Sequence, residues 1–463
     1  MADHESSEAP LMLSVSGARG IVGESMTPAV AHRLATIWGQ HIASSTDSPL
    51  MVLARDSRPS GPELAEAAAQ GLCDAGCRVM SLGIAATPTV GVMIGAARAA
   101  GGIMITASHN PSPWNGLKLL DGMGTAPSAE IASAIIDRFR SDELFPSNVE
   151  SIEVEEESRA HDTHVAKVLG QIDPTLIQKR GFKVVLDSVN GAGGIAGINL
   201  LTRLGCEVVH LGSEPTGDFF HPPEPRKEHL GALCDAVVES GADIGFAQDP
   251  DADRLAVVDD QGSYIGEEFT LALAARALLA RQPGPAAANL STSRLIDDVA
   301  AEFGCEVHRS AVGEANVAQV MRSCQAVIGG EGNGGVMLPA VTWVRDSLSA
   351  MALVLELVCR ENQALSAIVA GMPRYAMLKQ TIELEGSDAR SKLAAGMSAV
   401  IDHYAQHPDA TLHTEDGVRV DLPEGWIHLR PSNTEPIARL IIESEDEASA
   451  AKLGEAIRSI AQL

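Results

Sequence analysis

Three stretches of this 463-residue chain align with one another, and that repetition limits the possible folds more than any other feature. The first is MVLARDSRPSGPELAEAAAQGLCDAGCRVMSLG, from Met51. The second is KVVLDSVNGAGGIAGINLLTRLGCEVVHLG, from Lys183, and the third is ANLSTSRLIDDVAAEFGCEVHRSAVG, from Ala288. Each reads as a short apolar strand, a polar or glycine-containing turn, an amphipathic helix, Gly-Cys and a second strand. The pairs Gly76-Cys77, Gly205-Cys206 and Gly304-Cys305 place a glycine where a helix must end in a left-handed turn. Strand–helix–strand units imply parallel sheets with right-handed crossovers. The three cysteines share one position and read as small buried hydrophobes.

A further apolar strand follows each unit and ends in an unusual loop: GGIMITASHNP from Gly101, ADIGFAQDPDADR from Ala242, and QAVIGGEGNGG from Gln325. Ligands of open α/β sheets gather at the carboxyl ends of strands, so three equivalent strand ends predict one shared ligand. From about residue 373 the pattern changes to MLKQTIEL, a helix near Ala389 to Tyr404, a hairpin around Asp416-Gly417, GWIHLRPSNTEPIARLIIES, and a helix over Glu447 to Gln462. The expected fold is α/β: three similar domains with mixed, mostly parallel sheets (1–155, 156–262, 263–372) and a smaller α+β domain (373–463) around a central cleft. The acidic run SIEVEEESRAHD, from Ser151, reads as a solvated linker or helix start.

Charge narrows the partners. With 34 basic and 61 acidic residues the net charge is −27, which disfavours nucleic acid or an anionic membrane and leaves small anionic substrates open. Seven cysteines without CxxC pairs argue for a reducing compartment, and the polar, acidic MADHESSEAP is no signal peptide. The low-charge run Thr87 to Ala107 holds a proline, four glycines and Arg98, so it reads as helix then strand rather than a membrane span. The expectation is a cytoplasmic protein.

The loops carry the chemistry. In DPDADR an extended backbone puts Asp249, Asp251 and Asp253 on one side, and three such carboxylates call for a hard divalent cation such as Mg²⁺. A calcium EF-hand would need Gly and Glu where Arg254 and Asp260 stand. Arg254 is placed to hold a phosphate beside the metal. RPSNTEP offers Arg430, Ser432, Asn433 and Thr434 as a phosphate cradle. In GGEGNGG, the side chains of Glu331 and Asn333 suit paired sugar hydroxyls, the alternative being a flexible βα turn; no Lys-Ser/Thr follows to make a Walker loop. Ser108-His109 suggests a hydrolase dyad, but neighbouring side chains diverge on a strand or helix, and no G-x-S-x-G elbow is present.

These motifs together resemble the α-D-phosphohexomutases: TASHNP at Thr106 to Pro111, DxDxDR at Asp249 to Arg254, a GE-type loop at Gly330 to Gly335 and RPSxTEP at Arg430 to Pro436, in family order, with SGARG (Ser16 to Gly20) and RDSRPSG (Arg55 to Gly61). The resemblance implies a phosphoserine at Ser108 that gives its phosphoryl group to a hexose monophosphate. The resulting hexose 1,6-bisphosphate, both intermediate and activator, turns over in the cleft and returns its other phosphate. It also implies one Mg²⁺ per chain on Asp249, Asp251, Asp253 and the seryl phosphate. Lys118 and Arg19 are implied as acid/base or charge-stabilising groups, and a lysine base would need neighbouring cations to lower its pKa. His109 would contact or support the phosphate, Glu331 and Asn333 would read the sugar, and Arg430, Ser432, Asn433 and Thr434 would hold the idle phosphate. The chain departs from the bacterial GExSGH loop, having Asn333 and Gly335 where that has Ser and His, and in this it resembles the archaeal-like branch. With Ala252 in DADR the chain resembles the glucosamine and glucose members more than dedicated mannose ones. The expected reaction is glucosamine 6-phosphate to glucosamine 1-phosphate, by a monomer or homodimer. The alternatives are a phosphomannomutase/phosphoglucomutase of mixed specificity and a non-catalytic sugar-phosphate sensor.

Overall fold

The computed structural model describes residues 10–145, 153–384, 388–432 and 437–462. The three repeats share one strand order. In the first, strand Leu50–Arg55 is central, with Arg78–Ile84 and Gly101–Ile105 parallel on its two sides. Trp114–Asp121 then returns antiparallel to Gly101–Ile105. The second repeats this with Lys183–Asp187, Glu207–Leu211, Ile244–Gln248 and Leu255–Val258. The third does so with Ala286–Asn289, Val307–Ser310, Ile328–Glu331 and Gly335–Met337. The first sheet also gains Gly17–Ile21 and Met12–Ser14 beyond Trp114–Asp121. The fourth sheet is antiparallel throughout, with five strands between Ala376 and Ser444, and it packs helices Ala389–Tyr404 and Glu447–Ala461.

The Gly-Cys pairs end their helices as the sequence predicts. Gly76, Gly205 and Gly304 have φ of +83°, +72° and +65°. In each case the cysteine N–H donates to the carbonyl five residues earlier: Cys77 to Leu72, Cys206 to Leu201 and Cys305 to Ala300, at 3.0, 3.0 and 2.9 Å. The glycine N–H closes the inner turn, which makes three Schellman caps. Only Cys77 is fully buried, while Cys206 and Cys305 are half-buried at the margin of the core; all seven cysteines are free thiols.

The acidic run differs from expectation. Val154–Glu156 adds an edge strand parallel to Arg78–Ile84 before helix Ala160–Leu169 begins. Val154 is half-buried and Glu155 and Glu156 are exposed, an arrangement that lets the edge pair once and repels further strands. Ser151 lies outside the described residues. Thr87–Ala97 is a helix and Gly101–Ile105 a strand, and no described helix is long and apolar enough to cross a membrane.

One apolar cluster joins the second and third sheets, from Leu186 and Phe246 to Ala288 and Ile328, through helices Glu267–Leu279 and Ser347–Glu361. The fourth sheet has its own core around Leu393, Val420, Leu440 and Ile457.

The same substitution is therefore expected to act in opposite directions at two glycines. Gly304 has a left-handed backbone and open space where a Cβ would go, so Gly304→Ala costs about 1–2 kcal/mol. Gly95 is exposed inside a helix with equally open space, so Gly95→Ala stabilises by roughly 0.5–1 kcal/mol. Calorimetry of the two variants should show melting shifts of opposite sign.

Candidate active site

The chemistry-bearing loops are three equivalent hairpin connections, each between the third and fourth strands of its repeat. The Gly332–Gly334 link is thus an antiparallel turn rather than the βα turn considered as its plain alternative. All three preceding strands are fully buried, so their loops emerge where the sheets end.

In the first loop, Ser108 has φ +51° and is 1% exposed. A buried brace holds this conformation. Arg58 donates to the backbone carbonyls of Ser108 and Asn110 (both 2.7 Å), Pro111 (2.9 Å) and Trp114 (3.0 Å). Asp56 anchors the Arg58 guanidinium at 3.0 Å and accepts from the Thr106 hydroxyl at 2.6 Å, and that hydroxyl accepts from the Ser108 N–H at 2.9 Å. The left-handed backbone is neither strand nor helix, so Ser108 and His109 do not diverge as expected: Ser108 Oγ lies 3.4 Å from His109 Nδ1. Burial, then Arg254 and Arg19, push the His109 pKa down to about 3, which leaves the ring too weak a base to activate a serine. The shorter contact of Ser108 Oγ is to Asp249 Oδ2, at 3.2 Å.

Asp249, Asp251 and Asp253 are fully buried, and one oxygen of each lies within 4.8 Å of the others. The backbone here is not extended as expected: residues 250–253 form a turn with Ala252 at φ +53°, and this turn makes the carboxylates converge. Lys118 Nζ donates to Asp251 Oδ2 at 2.5 Å and Asp253 Oδ2 at 3.0 Å. Thr87 Oγ1 reaches Asp251 Oδ2 at 2.6 Å, and Arg345 Nη2 reaches Asp253 Oδ2 at 2.6 Å. Burial, then Asp253 and Asp251, raise the Asp249 pKa well above the carboxylate range. Burial opposes ionisation of Asp251 and Asp253 too, but Lys118, joined at Asp253 by Arg345, overcomes it and holds both low. Burial likewise opposes the charge on Lys118, and the two aspartates outweigh it, so its pKa is raised rather than lowered. In this arrangement Lys118 is a fixed cation and not a base. Two buried oxygens, Asp251 Oδ1 and Asp253 Oδ1, have no hydrogen-bond partner. With Asp249 they form an oxygen-only set whose charge the surroundings leave incompletely balanced, and a hard divalent cation fits it.

Arg19 stands on the neighbouring strand, with Gly17 opposite Lys118 in register, and donates to Asn110 Oδ1 at 3.2 Å. Arg254 gives its N–H to Asp249 Oδ1 at 3.1 Å, and its buried Nε has no hydrogen-bond partner. Beyond Arg254 opens a cavity of about 450 Å³, walled by Glu331, Asn333, Asn289 and Glu268 and, from the fourth sheet, Arg430, Ser432, Arg439 and Lys379. Arg430 and Arg439 are directly opposite in register. The two guanidiniums make this wall of the cavity cationic, which suits an anionic ligand. Asn433 and Thr434 lie outside the described residues.

Sequence reasoning missed Arg345, Glu268, Asn289, Lys379 and Arg439, and found RDSRPSG without its role. Arg345 had one signal, a lone cation in the apolar run VTWVRDSL just before the helix-capping Asp346. Arg439 and Lys379 follow only from strand register in the fourth sheet.

Family profiles for phosphoglucomutase/phosphomannomutase match four successive segments: alpha/beta/alpha domain I over residues 12–145, domain II over 162–262, domain III over 267–375 and the C-terminal domain over 387–460. A protein named probable phosphoglucosamine mutase from Methanopyrus kandleri is 34% identical over 440 residues, covering 95% of each chain. A phosphoglucomutase/phosphomannomutase from Thermococcus kodakarensis is 34% identical over 437 residues, 94% of each. The crystal structure of a phosphoglucomutase/phosphomannomutase family protein from Burkholderia thailandensis superposes with a TM-score of 0.84 at 29% identity, covering 97% of this chain and 98% of that one.

The orphaned carboxylate oxygens make a metal test direct. Added Mg²⁺ should raise the melting temperature, with stabilisation of about 2.7 kcal/mol at one hundred times the dissociation constant, and Asp251→Asn should remove most of that rise.

Proposed function

This chain belongs to the phosphoglucomutase/phosphomannomutase family, the α-D-phosphohexomutases, and from that premise we propose that it interconverts glucosamine 6-phosphate and glucosamine 1-phosphate through a phosphorylated Ser108. The observation that carries the reading is the pairing of two anion sites across one cleft. Ser108 sits 3.2 Å from Asp249 beside Lys118, and a cavity bearing Arg430, Ser432 and Arg439 opens on the other side of Arg254.

In this reading the P–O bond to Ser108 breaks as the sugar hydroxyl oxygen bonds to phosphorus, and the hydroxyl proton ends on Ser108 Oγ. The bisphosphate turns, and its other phosphate returns to Ser108. Lys118, Arg19 and Arg254 stabilise charge on the transferring group, which is most of what phosphoryl transfer asks of a protein. His109 is neutral and supports the phosphate through its ring nitrogen. Asp249, Asp251 and Asp253 would hold a Mg²⁺ together with the seryl phosphate, and that ion, when bound, neutralises charge on the phosphoryl oxygens. Glu331 and Asn333 read sugar hydroxyls, while Arg430 and Ser432, with Asn433 and Thr434, hold the phosphate that is not reacting.

The choice of glucosamine rests on two supports: Ala252 in the metal loop, and relatives named for that activity. The Thermococcus relative's name makes mixed glucose/mannose specificity the second reading.

A substrate panel decides between them. Glucosamine 6-phosphate should exceed glucose and mannose 6-phosphates in kcat/KM by at least about tenfold. Comparable rates on all three would give the mixed-specificity reading, and binding without turnover on any would give the sensor. Intact mass should show one phosphate on the active enzyme, absent from Ser108→Ala along with turnover.

A further inference from the structure

Arg345 lies outside every motif read from the sequence, yet it spends its whole guanidinium on the site. Nη2 donates to Asp253 Oδ2 in the aspartate loop at 2.6 Å, Nη1 to Glu331 Oε2 in the sugar loop at 2.7 Å, and Nε to Glu314 Oε2 at 3.0 Å. Its own N–H reaches the same Glu314 oxygen at 3.0 Å. The backbone that follows is fixed to both loops, with Asp346 N–H on Val336 O at 2.7 Å and Ser347 N–H on Ala252 O at 3.3 Å. A planar fork can reach three carboxylates in three directions, and a lysine ammonium on a flexible stem cannot hold the same spacing.

The sugar loop is cut to admit this side chain. Gly335 stands directly opposite Glu331 in register, and a Cβ there would fall 2.2 Å from Arg345 Cδ and 2.8 Å from Cγ. The cross-strand neighbour of Glu331 has therefore no side chain, and an arginine from ten residues on fills the space. Glu331 is then fixed at both ends. Its Oε1 accepts from Asn289 Nδ2 at 2.8 Å and Gly313 N–H at 3.2 Å, and its Oε2 accepts from Arg345, with only a long 3.5 Å contact from Asn333 besides. One acceptor position on Oε2 is thereby left for a sugar hydroxyl.

We propose that Arg345 is a positioning residue for phosphoryl transfer, setting the distance between the sugar-reading carboxylate Glu331 and the aspartate loop beside Ser108. The inference rests on the role given to Glu331 above. Arg345 need not touch the substrate. It fixes where the sugar lies relative to the seryl group, and a misplacement of about 1 Å costs on the order of 10²-fold in rate.

Three variants test it. Arg345→Lys keeps the charge and loses the fork. Gly335→Ala keeps every polar group and pushes the arginine off its place, at a residue whose φ an alanine can adopt. Glu331→Gln is the reference for the sugar contact. For the first two, kcat on the preferred hexose phosphate should fall by about 10²-fold. The dissociation constant of that sugar phosphate, measured calorimetrically in a Ser108→Ala background, should be nearly unchanged, because Arg430 and Ser432 still hold its phosphate. More hexose bisphosphate should escape into solution per turnover, a readout that simple destabilisation would not move. Unchanged kcat and bisphosphate release in Gly335→Ala, with Glu331→Gln impaired, would overturn the inference and leave the reading of Glu331 standing. An unimpaired Glu331→Gln would overturn that reading itself. Binding and turnover falling together in Gly335→Ala would make Arg345 a structural tie only, and that variant decides the matter even if Arg345→Lys does not fold.

Discussion

Three carboxylates with no exposure to solvent are the constraint around which the molecule is arranged. Each loses its hydration on folding, and a buried charge is tolerated only when paired and hydrogen-bonded. Apart from the adjacent Arg254, the balancing cations are not local. Lys118 comes from the first sheet, and Arg345 from the segment leading into helix Ser347–Glu361 beyond the third. Thr87, which caps part of Asp251, comes from the first repeat as well. The aspartate loop therefore gains the protein cations it has only when parts of three repeats meet, and the balance that remains is left to a bound metal ion. That dependence makes the site a joint of the assembled chain and not the property of one unit. Losing Arg345 would leave Lys118 as the one hydrogen-bonded cation for both Asp251 and Asp253.

The repeat turns this joint into a reaction centre. Each unit ends its third strand at the same sheet edge and returns through a short hairpin, so three copies of one topology deliver three loops for different uses. One displays a serine on a left-handed residue, one concentrates carboxylates, and one is almost bare backbone with a glutamate at its base. Preorganisation differs accordingly. The serine loop is clamped by Arg58, whose guanidinium donates to four of its backbone carbonyls. The sugar loop needs no such clamp, because its hairpin is shorter and Arg345 holds it from the side.

What the sequence made legible follows the range of the interactions involved. The repeat, the Gly-Cys caps and the aspartate spacing are local patterns, and the helix ends at Gly76, Gly205 and Gly304 stand where the residues put them. The hairpin at Asp416-Gly417 in the smaller α+β unit was legible for the same reason. Long-range consequences were not. Nothing in Ser108-His109 announces a φ of +51°, which depends on Asp56 and Arg58 fifty residues earlier. The raised pKa of Lys118 required knowing that its partners are two aspartates more than a hundred residues away. Arg345 carries no motif at all, and its meaning comes from the three carboxylates the fold brings to it.

The fourth sheet stands in a different relation to the rest. The second and third sheets share one apolar core, so separating them would expose hydrophobic surface. The fourth closes its own core and meets the third through polar bonds: Ser291 to His428 at 2.9 Å, Val312 N–H to Asp416 at 3.0 Å and Arg294 N–H to Glu443 at 2.9 Å. Such contacts can be exchanged for water at little net cost, whereas apolar ones cannot. On the mechanism proposed above, a bisphosphate must reverse its ends, which needs room on one side and an unmoved reacting centre on the other. The division of the cores fits that need: the aspartate loop and Arg345 stand beside the core that the second and third sheets share, and Arg430 and Ser432 belong to the unit with a core of its own.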